Sequence, residues 1–412
     1  MATDIKDTTH PVEASTVLGL LRTRPRLLAL GEPTHGEDTL LEMRNHLFRQ
    51  LVEEEGYRTI AIESDCLLGL TVDDYVTTGT GTLDEVMAHG FSHGFGAHAG
   101  NRELVRWMRA HNASRPESEQ VGFAGFDGPL EISGAESPRR ALLALHDYLA
   151  AAVPTELLPC TRDTLDTLLG ADDRWTNPDA MMKPERSVGQ SSEARRLRLL
   201  ADDLTTLLDT RTPHLLRSAS REAWDRARLY ARTASGLLRY HRWMTDTSPE
   251  RMNRLFAQRD SMMAENLLAL TDRNPTLVFA HNSHLQRVQS TMSMWDHPLV
   301  EWWSAGALVS ARLEQEYAFV ATALGTIRHQ GVDAPDAGTL EGLLHRLPDD
   351  RRLIDPARLT TALGDPLPEP RESPWFGYAS LAPSHLPHID GLVYVKDMAQ
   401  DVFAQSLSRA QD

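Results

Sequence analysis

Cysteine is scarce in this chain of 412 residues, which contains only Cys66 and Cys160. Two cysteines argue against a disulfide framework and against a metal site built from thiolates. Long apolar runs are missing too, since no stretch approaches the roughly 18 apolar residues of a membrane-spanning helix. The segment from Met1 to Arg26 is polar and mixed in charge, without the apolar centre of a signal peptide. We therefore expect a cytoplasmic protein with no membrane partner.

Positive charge is also in short supply, with 42 Lys and Arg against 58 Asp and Glu and a formal net charge of -16. This balance argues against nucleic-acid binding, which depends on clustered cationic side chains. The composition is that of a globular protein, at 41% hydrophobic and 24% charged residues. We therefore expect a small-molecule substrate and no nucleic acid. The sequence does not fix the oligomeric state.

The stretch from Arg26 to Glu63 organises the chain. It holds an apolar run ending in Gly31-Glu32-Pro33-Thr34-His35-Gly36, a helical segment, and a second apolar run ending in Glu63-Ser64-Asp65. This order predicts a β-α-β unit whose two strands pair in parallel and end at the same edge of a sheet. Because ligands bind at that edge in open parallel sheets, Glu32, His35 and Glu63 should face one crevice.

An arginine interrupts the apolar stripe of the helix between these strands. Arg44 shares that stripe with Leu40, Leu47 and Leu51. A buried arginine needs a partner, and Glu32 and Glu63 are the expected ones.

Further apolar runs predict strands at Gln120 to Asp127, Thr276 to Ala280, Tyr317 to Leu324 and Leu392 to Val395. Between the first two of these runs, helical periodicity dominates. The fold class expected is α/β, a mostly parallel sheet flanked by helices, with an inserted all-helical lobe beside the active-site cleft. The expected segments are 1–136 for the first part of the α/β core, 137–266 for the lobe and 267–412 for the second part of the core.

Polar side chains follow four of the predicted strands. They are Glu32 with His35, Glu63 with Asp65, Asp127, and His281 with His284. Singly, such residues are more often caps or solvated turn residues, but four coincidences at one sheet edge favour an active site. Carboxylates beside imidazoles suit general acid and base catalysis, in which a histidine takes a proton from water. Arg44 can hold a glutamate ionised or face a developing oxyanion.

Two other chemistries are weighed against this one. The same His and Glu residues are acceptable ligands for a divalent metal, although His-x-x-His is a weak metal signal. A serine nucleophile is disfavoured, because Ser64 lacks a Gly-x-Ser-x-Gly setting.

His93 and His98, in a glycine-rich loop, can line the same pocket. Several residues of the lobe can wall a hydrophobic pocket or pack the lobe's own core, namely Met181, Met182, Trp224, Tyr230, Tyr240 and Trp243.

These motifs together resemble the signature of the erythromycin esterase family. The Gly31 to Gly36 turn, Arg44 nine residues beyond His35, Ile62-Glu63 and the Ala280 to His284 segment carry the resemblance, which extends roughly from Leu27 to Asp397. Members of that family open macrolide lactones, with a histidine activating water and no essential metal. The resemblance thus implies His35 as the general base, surrounded by Glu32, Arg44, Glu63, His281 and His284, and no cofactor.

The sequence leaves three functions open. The first is an esterase-like hydrolase acting on an ester or lactone of a hydrophobic natural product, for which we assign substrate contacts to four residues, namely Asp65, His93, Asp127 and Arg259. The second is a biosynthetic tailoring enzyme that uses the same groups for elimination, cyclisation or acyl transfer. The third is a non-catalytic protein that binds a small molecule and confers resistance by sequestering it.

Overall fold

A computed structural model of the chain describes residues 8–131, 134–293, 299–373 and 377–398. Within those ranges every helix is too short or too polar to cross a bilayer. The statements below refer to the described residues.

The strands are given in chain order: β1 (Thr9–His10), β2 (Leu27–Glu32), β3 (Thr59–Asp65), β4 (Gly122–Asp127), β5 (Leu130–Glu131), β6 (Gly134–Ala135), β7 (Thr276–His281), β8 (Gln289–Met292), β9 (Val300–Trp303), β10 (Tyr317–Thr326), β11 (Arg351–Ile354) and β12 (Gly391–Asp397). The α-helices follow in the same order: α1 (Ala14–Leu20), α2 (Asp38–Glu54), α3 (Gly69–Thr78), α4 (Leu83–His89), α5 (Ala99–Asn112), α6 (Arg139–Ala152), α7 (Arg162–Leu169), α8 (Ser192–Thr210), α9 (Thr212–Ser218), α10 (Arg221–Met244), α11 (Arg251–Leu270), α12 (Asn282–Leu285), α13 (Ala305–Leu313), α14 (Leu340–His345) and α15 (Pro356–Leu363). Short 3-10 helices lie at Phe95–Ala97, Glu117–Glu119, Thr155–Leu157, Asp172–Arg174, Pro178–Ala180, Pro184–Arg186, Glu314–Glu316, Arg328–Gln330 and Pro383–His388.

One large sheet has the strand order β1-β11-β12-β10-β2-β7-β3-β4. The six strands from β12 to β4 run parallel, while β11 is antiparallel to both of its neighbours. Antiparallel pairs of short strands, β5 with β6 and β8 with β9, lie outside it. The expected α/β class with a mostly parallel sheet is confirmed.

The first two parallel strands of the chain do not pair with each other. β7 lies between β2 and β3 and pairs with both, so the expected direct pairing is wrong. Strands that share a sheet need not be adjacent, and here the strand that follows the helical lobe takes the central position. Its register places His281 opposite Glu32 and Phe279 opposite Ile62. The end of β7 therefore enters the site between Glu32 and Glu63.

Both faces of the sheet are covered, because alternate residues of each parallel strand point to opposite sides. Leu28, Leu30, Ile60 and Ile62 belong to a buried cluster shared with α2, α3 and α5. Ala29, Ala61, Val278 and Phe319 belong to a second cluster, shared with α11, α13 and α14. These strands therefore have few polar side chains until their carboxyl ends, where the polar residues gather.

From α6 to α11 the chain is helical and has its own buried clusters. Five of the residues weighed as pocket walls pack in these clusters, and Met182 is 66% exposed. The division into 1–136, 137–266 and 267–412 stays a prediction, and 1–7 and 399–412 lie outside the described residues.

Candidate active site

The turn after β2 places a histidine on a buried carboxylate. The Nδ1–H group of His35 donates to Glu32 Oε1 at 2.7 Å, and the side chain of Glu32 is 4% exposed. A carboxylate can only accept, so this bond leaves Nε2 of a neutral His35 as the basic nitrogen. The chain reaches this geometry through Gly36, whose φ of +81° suits glycine. The turn therefore orients His35 and selects its tautomer.

His35 remains reachable, with a side chain that is 39% exposed. Its ring centroid lies 5.4 Å from that of Phe95 and 5.3 Å from that of His281. Burial acts to lower the pKa of His35, but the carboxylates of Glu63 and Glu32 outweigh it and raise the pKa above its ordinary value. Burial also raises the pKa of Glu32, against the hydrogen bond from His35.

Glu63, at the end of β3, is the centre of the site. Its Oε2 accepts the backbone N–H of His281 at 2.8 Å, and its Oε1 accepts Nη2 of Arg259 at 3.2 Å. The same Oε1 lies 3.4 Å from His284 Nε2 and 3.9 Å from His35 Nε2. Burial alone would raise the pKa of Glu63, but His284, His35 and Arg259 together hold it well below its usual range. Glu63 is therefore an ionised carboxylate surrounded by donors.

The two histidines after β7 have different surroundings. His284 Nδ1 lies 3.0 Å from Asp260 Oδ1, and its Nε2 faces Glu63. Burial works to lower the pKa of His284, yet Asp260 and Glu63 raise it, which favours the imidazolium. His281 instead packs its Nε2 against the Pro33 carbonyl oxygen at 3.2 Å, and burial with the nearby His35 lowers its pKa to about 3. His281 is therefore a neutral ring, unlike His284.

A second cluster lies at the end of β4. Arg259 on α11 binds the carboxylate of Asp127 through Nε and Nη2 at 3.1 and 2.7 Å. His93 bridges Asp127 and Glu131, with its Nε2 at 3.3 Å and its Nδ1 at 2.7 Å from their carboxylate oxygens. Arg259 contacts Glu63 as well, so it joins the two clusters.

Arg44 is fully buried on α2, as the apolar stripe predicts, at 0% exposure. The expected ion pair is wrong, because Arg44 forms none with Glu32 or Glu63 in the described structure. Its Nε and Nη2 donate to Asn45 Oδ1 at 3.1 and 2.7 Å. The guanidinium carbon also lies 4.9 Å from the ring centroid of Phe279. Burial lowers the pKa of Arg44 to about 10, while the charge of Glu32 opposes that shift.

Two residues weighed for the pocket lie at its margin. Asp65 accepts the backbone N–H groups of Leu67 and Leu68 at 2.6 and 3.1 Å, so its carboxylate caps the turn after β3. Burial raises the pKa of Asp65 to about 6. The ring of His98 lies beside Phe95, with a centroid distance of 6.2 Å.

Three residues of the site were missed from the sequence. Asp260 carried a signal, because it lies on the apolar stripe of α11 with Met263, Ala264 and Leu267, where an acid is out of place. Asn45, the acceptor for Arg44, follows an arginine that was itself singled out. Glu131 gave no signal, since it is an exposed acid that reaches His93 only in the folded chain.

The described ranges contain no group of three or more His, Cys, Asp and Glu side chains arranged to hold a metal ion. Arg259 and His284 supply positive charge beside Glu63. The arrangement is suited to proton transfer at His35, next to an ionised carboxylate.

His93 gives a testable link between stability and pH. Burial disfavours its charged form, but hydrogen bonds to Asp127 and Glu131 raise its pKa from 6.5 to about 9. The bonds from protonated His93 to these carboxylates stabilise the fold. This stabilisation is complete below pH 6.5 and is lost as the pH rises through 9. We expect His93→Gln to cost on the order of 2–3 kcal/mol more at pH 6 than at pH 9.5, measured by urea unfolding. Glu131→Gln should remove part of this pH dependence, and a pH-independent cost would contradict the charged bridge.

Comparison with known proteins gives a family and several similar structures. The sequence model of the family described as erythromycin esterase matches residues 52–398. A search of the curated proteins gives no match. The matched range includes Glu63, Asp127, Arg259, His281 and His284. It begins after Glu32, His35 and Arg44, so the resemblance at those three positions stays a prediction.

Similar solved structures include a protein from Bacillus cereus, with 18% identity, 96% of each chain covered and a TM-score of 0.72. A succinoglycan biosynthesis protein shows 15% identity, 96% coverage of each chain and a TM-score of 0.63. A histidine-to-asparagine mutant of the erythromycin esterase EreC, described in its open conformation, shows 17% identity. It covers 94% of this chain and 93% of its own, with a TM-score of 0.66. At these identities the structures show the fold, and the family comes from the sequence match. The chain belongs to the erythromycin esterase family, and this membership supports an esterase-like hydrolase.

Proposed function

We propose that this protein hydrolyses an ester or lactone of a hydrophobic natural product, with His35 activating water. The observation that carries the proposal is the hydrogen bond from His35 Nδ1 to the buried carboxylate of Glu32. This bond leaves Nε2 of the accessible His35 ring free to accept a proton, at 3.9 Å from Glu63 Oε1. Family membership supports the hydrolase class.

In the proposed reaction, a water molecule lies between His35 Nε2 and Glu63. The two groups are 3.9 Å apart, a separation that a shared water can bridge. Neutral His35 takes one proton from the water as its oxygen attacks the ester carbonyl carbon. Glu32 stabilises the imidazolium that results. When the tetrahedral intermediate collapses, His35 returns the proton to the departing alkoxide, which leaves an acid and an alcohol.

Negative charge develops on the carbonyl oxygen during attack, and a hydrogen-bond donor or a cation must face it. Arg44 is a poor candidate because its side chain is fully buried. Arg259 is better placed, since its side chain is 16% exposed and contacts Glu63. We therefore assign oxyanion stabilisation to Arg259 and a substrate-facing position to the neutral ring of His281.

A biosynthetic role is the second candidate, favoured by the similarity to a succinoglycan biosynthesis protein. The same acid and base groups can remove a proton in an elimination, a cyclisation or an acyl transfer. The mass of the product distinguishes these from hydrolysis, because only hydrolysis adds one water. A binding protein without catalysis would leave the compound unchanged.

The test is a mass-spectrometric turnover assay of the wild-type protein on macrolides, smaller lactones and simple esters, in ordinary water and in ¹⁸O-water. For a lactone we expect a ring-opened product heavier by one water that carries ¹⁸O, and for a simple ester an acid that carries ¹⁸O together with the free alcohol, formed equally with and without chelator. A product of unchanged mass would indicate cyclisation, and loss of turnover with chelator would indicate a metal. Binding without turnover would contradict the hydrolase.

A further inference from the structure

A small cavity lies beside Glu32, among residues of β2, α2 and α5. Its volume is about 10 Å³, and its lining includes Glu32, Arg44, Asn101, Leu41 and Phe279. A void of roughly this size holds one water molecule and nothing larger. The cavity is therefore a place for one small polar group.

Three polar atoms of the lining residues are buried and have no hydrogen-bond partner among the residues that the structure describes. They are Glu32 Oε2, Arg44 Nη1 and Asn101 Oδ1. The other polar atoms of these side chains are used. Glu32 Oε1 accepts from His35, Arg44 donates twice to Asn45, and Asn101 Nδ2 donates to the Phe95 carbonyl oxygen at 2.9 Å. Buried polar atoms are costly to leave unpaired, so a common partner is expected.

We propose that one water molecule is bound in this cavity, accepting from Arg44 Nη1 and donating to Glu32 Oε2 and Asn101 Oδ1. One donor and two acceptors match the hydrogen-bonding capacity of a single water. The guanidinium of Arg44 disfavours a cation at this place, and the carboxylates of Glu32 and Glu63, which both line the cavity, disfavour an anion. A neutral molecule that both donates and accepts is what remains, and the volume limits it to water.

The bound water makes Arg44 a positioning residue. Through it, the buried guanidinium stabilises the ionised carboxylate of Glu32 without touching it, and Glu32 then fixes the tautomer of His35. Asn45 belongs to the same support, since it accepts both bonds from Arg44 and donates to the Gly100 carbonyl oxygen at 2.8 Å. The water site stands on the geometry alone, whereas its effect on catalysis rests on the proposed hydrolysis.

A high-resolution crystal structure of the wild-type protein tests the water directly. We expect one ordered water within hydrogen-bond distance of Glu32 Oε2, Arg44 Nη1 and Asn101 Oδ1. In Asn101→Leu, which replaces an acceptor by an apolar group of similar size, that density should disappear. An empty wild-type cavity, or a direct bond from Arg44 Nη1 to Glu32 Oε2, would overturn the proposal. This result does not depend on any substrate.

Kinetics tests the positioning role, on any ester or lactone that the wild type opens. Asn101→Leu should lower kcat by roughly ten- to a hundredfold at nearly constant KM. The reason is that loss of the water removes its hydrogen bond to the charged carboxylate of Glu32. The matched control is Asn112→Leu, which removes a buried asparagine of the same helix, bonded to Val76 and Val121 away from the cavity. Its kcat should stay near the wild-type value. An equal fall in both variants, or an unchanged kcat in Asn101→Leu, would overturn the positioning role.

Discussion

Replacing His35 by alanine should lower kcat/KM by about 10² to 10⁴, the usual contribution of a general base. No other histidine of the site combines an exposed ring with a carboxylate that orients it toward the cleft. His281 is a neutral ring against Pro33, and His284 lies between Asp260 and Glu63. Because 39% of the His35 side chain is exposed, its removal should leave the fold intact. The measurement is steady-state hydrolysis of a substrate found in the turnover assay.

His329→Ala is a matched control for this experiment. His329 Nε2 lies 3.0 Å from Glu37 Oε1, with a histidine 30% exposed and a glutamate 5% exposed. The pair thus repeats the His35 and Glu32 arrangement outside the constellation around Glu63. We expect this variant to keep most of its activity. Full activity in His35→Ala would contradict the assignment of the base.

The pH profile of the wild type gives an independent check on the same base. His35 must be neutral to accept a proton. Burial acts to lower the pKa of His35, but the carboxylates of Glu63 and Glu32 raise it by more, so its pKa lies above the ordinary value. The acid limb of kcat/KM should therefore lie above pH 6.5, with activity lost as the pH falls through the raised pKa. An acid limb well below pH 6.5 would mean that another group sets the limb.

The parallel strands were accessible from the sequence, because each is a short apolar run buried on both faces. Tyr317–Thr326 and Gly391–Asp397 are examples. The short strands could not be predicted from the sequence. Arg351–Ile354 begins with two arginines and Thr9–His10 has two residues, so neither shows an apolar period. The strand order could not be predicted either, because nothing in the local sequence of Thr276–His281 indicates that this strand lies between β2 and β3.

The site shows the same division between local and long-range information. Parallel strands bring their carboxyl ends to one edge, and this places Glu32, His35, Glu63, His281 and His284 together in the structure. The partner of each side chain depends on distances that the sequence does not hold. Arg44 was expected on a glutamate and instead bonds to the next residue, Asn45. The site residues that the sequence could place were those that follow a predicted strand, together with Arg44, which interrupts an apolar helical stripe.

Removing the Asp127 side chain should destabilise the protein more than removing an exposed charged side chain. Asp127 is fully buried, at 0% exposure, and binds both Arg259 and His93. Burial raises the pKa of Asp127, but Arg259 and His93 more than offset this and hold it below its usual value. Asp127→Ala leaves two half-buried cations, Arg259 and His93, without this carboxylate. We expect a loss on the order of 3–5 kcal/mol in the free energy of unfolding, measured in urea.

Asp74→Ala is the matched control, because Asp74 also binds an arginine through both carboxylate oxygens. That partner is Arg226, and the two side chains are 37% and 35% exposed. Solvent screens such a pair, so its loss should cost about 1 kcal/mol or less. In Asp127→Ala combined with Arg259→Met, the cost should be smaller than the sum of the two single costs, because the two side chains bind each other and their pair is lost only once. Equal costs for Asp127→Ala and Asp74→Ala would show that the Asp127 cluster is solvated and would contradict the buried ion pair.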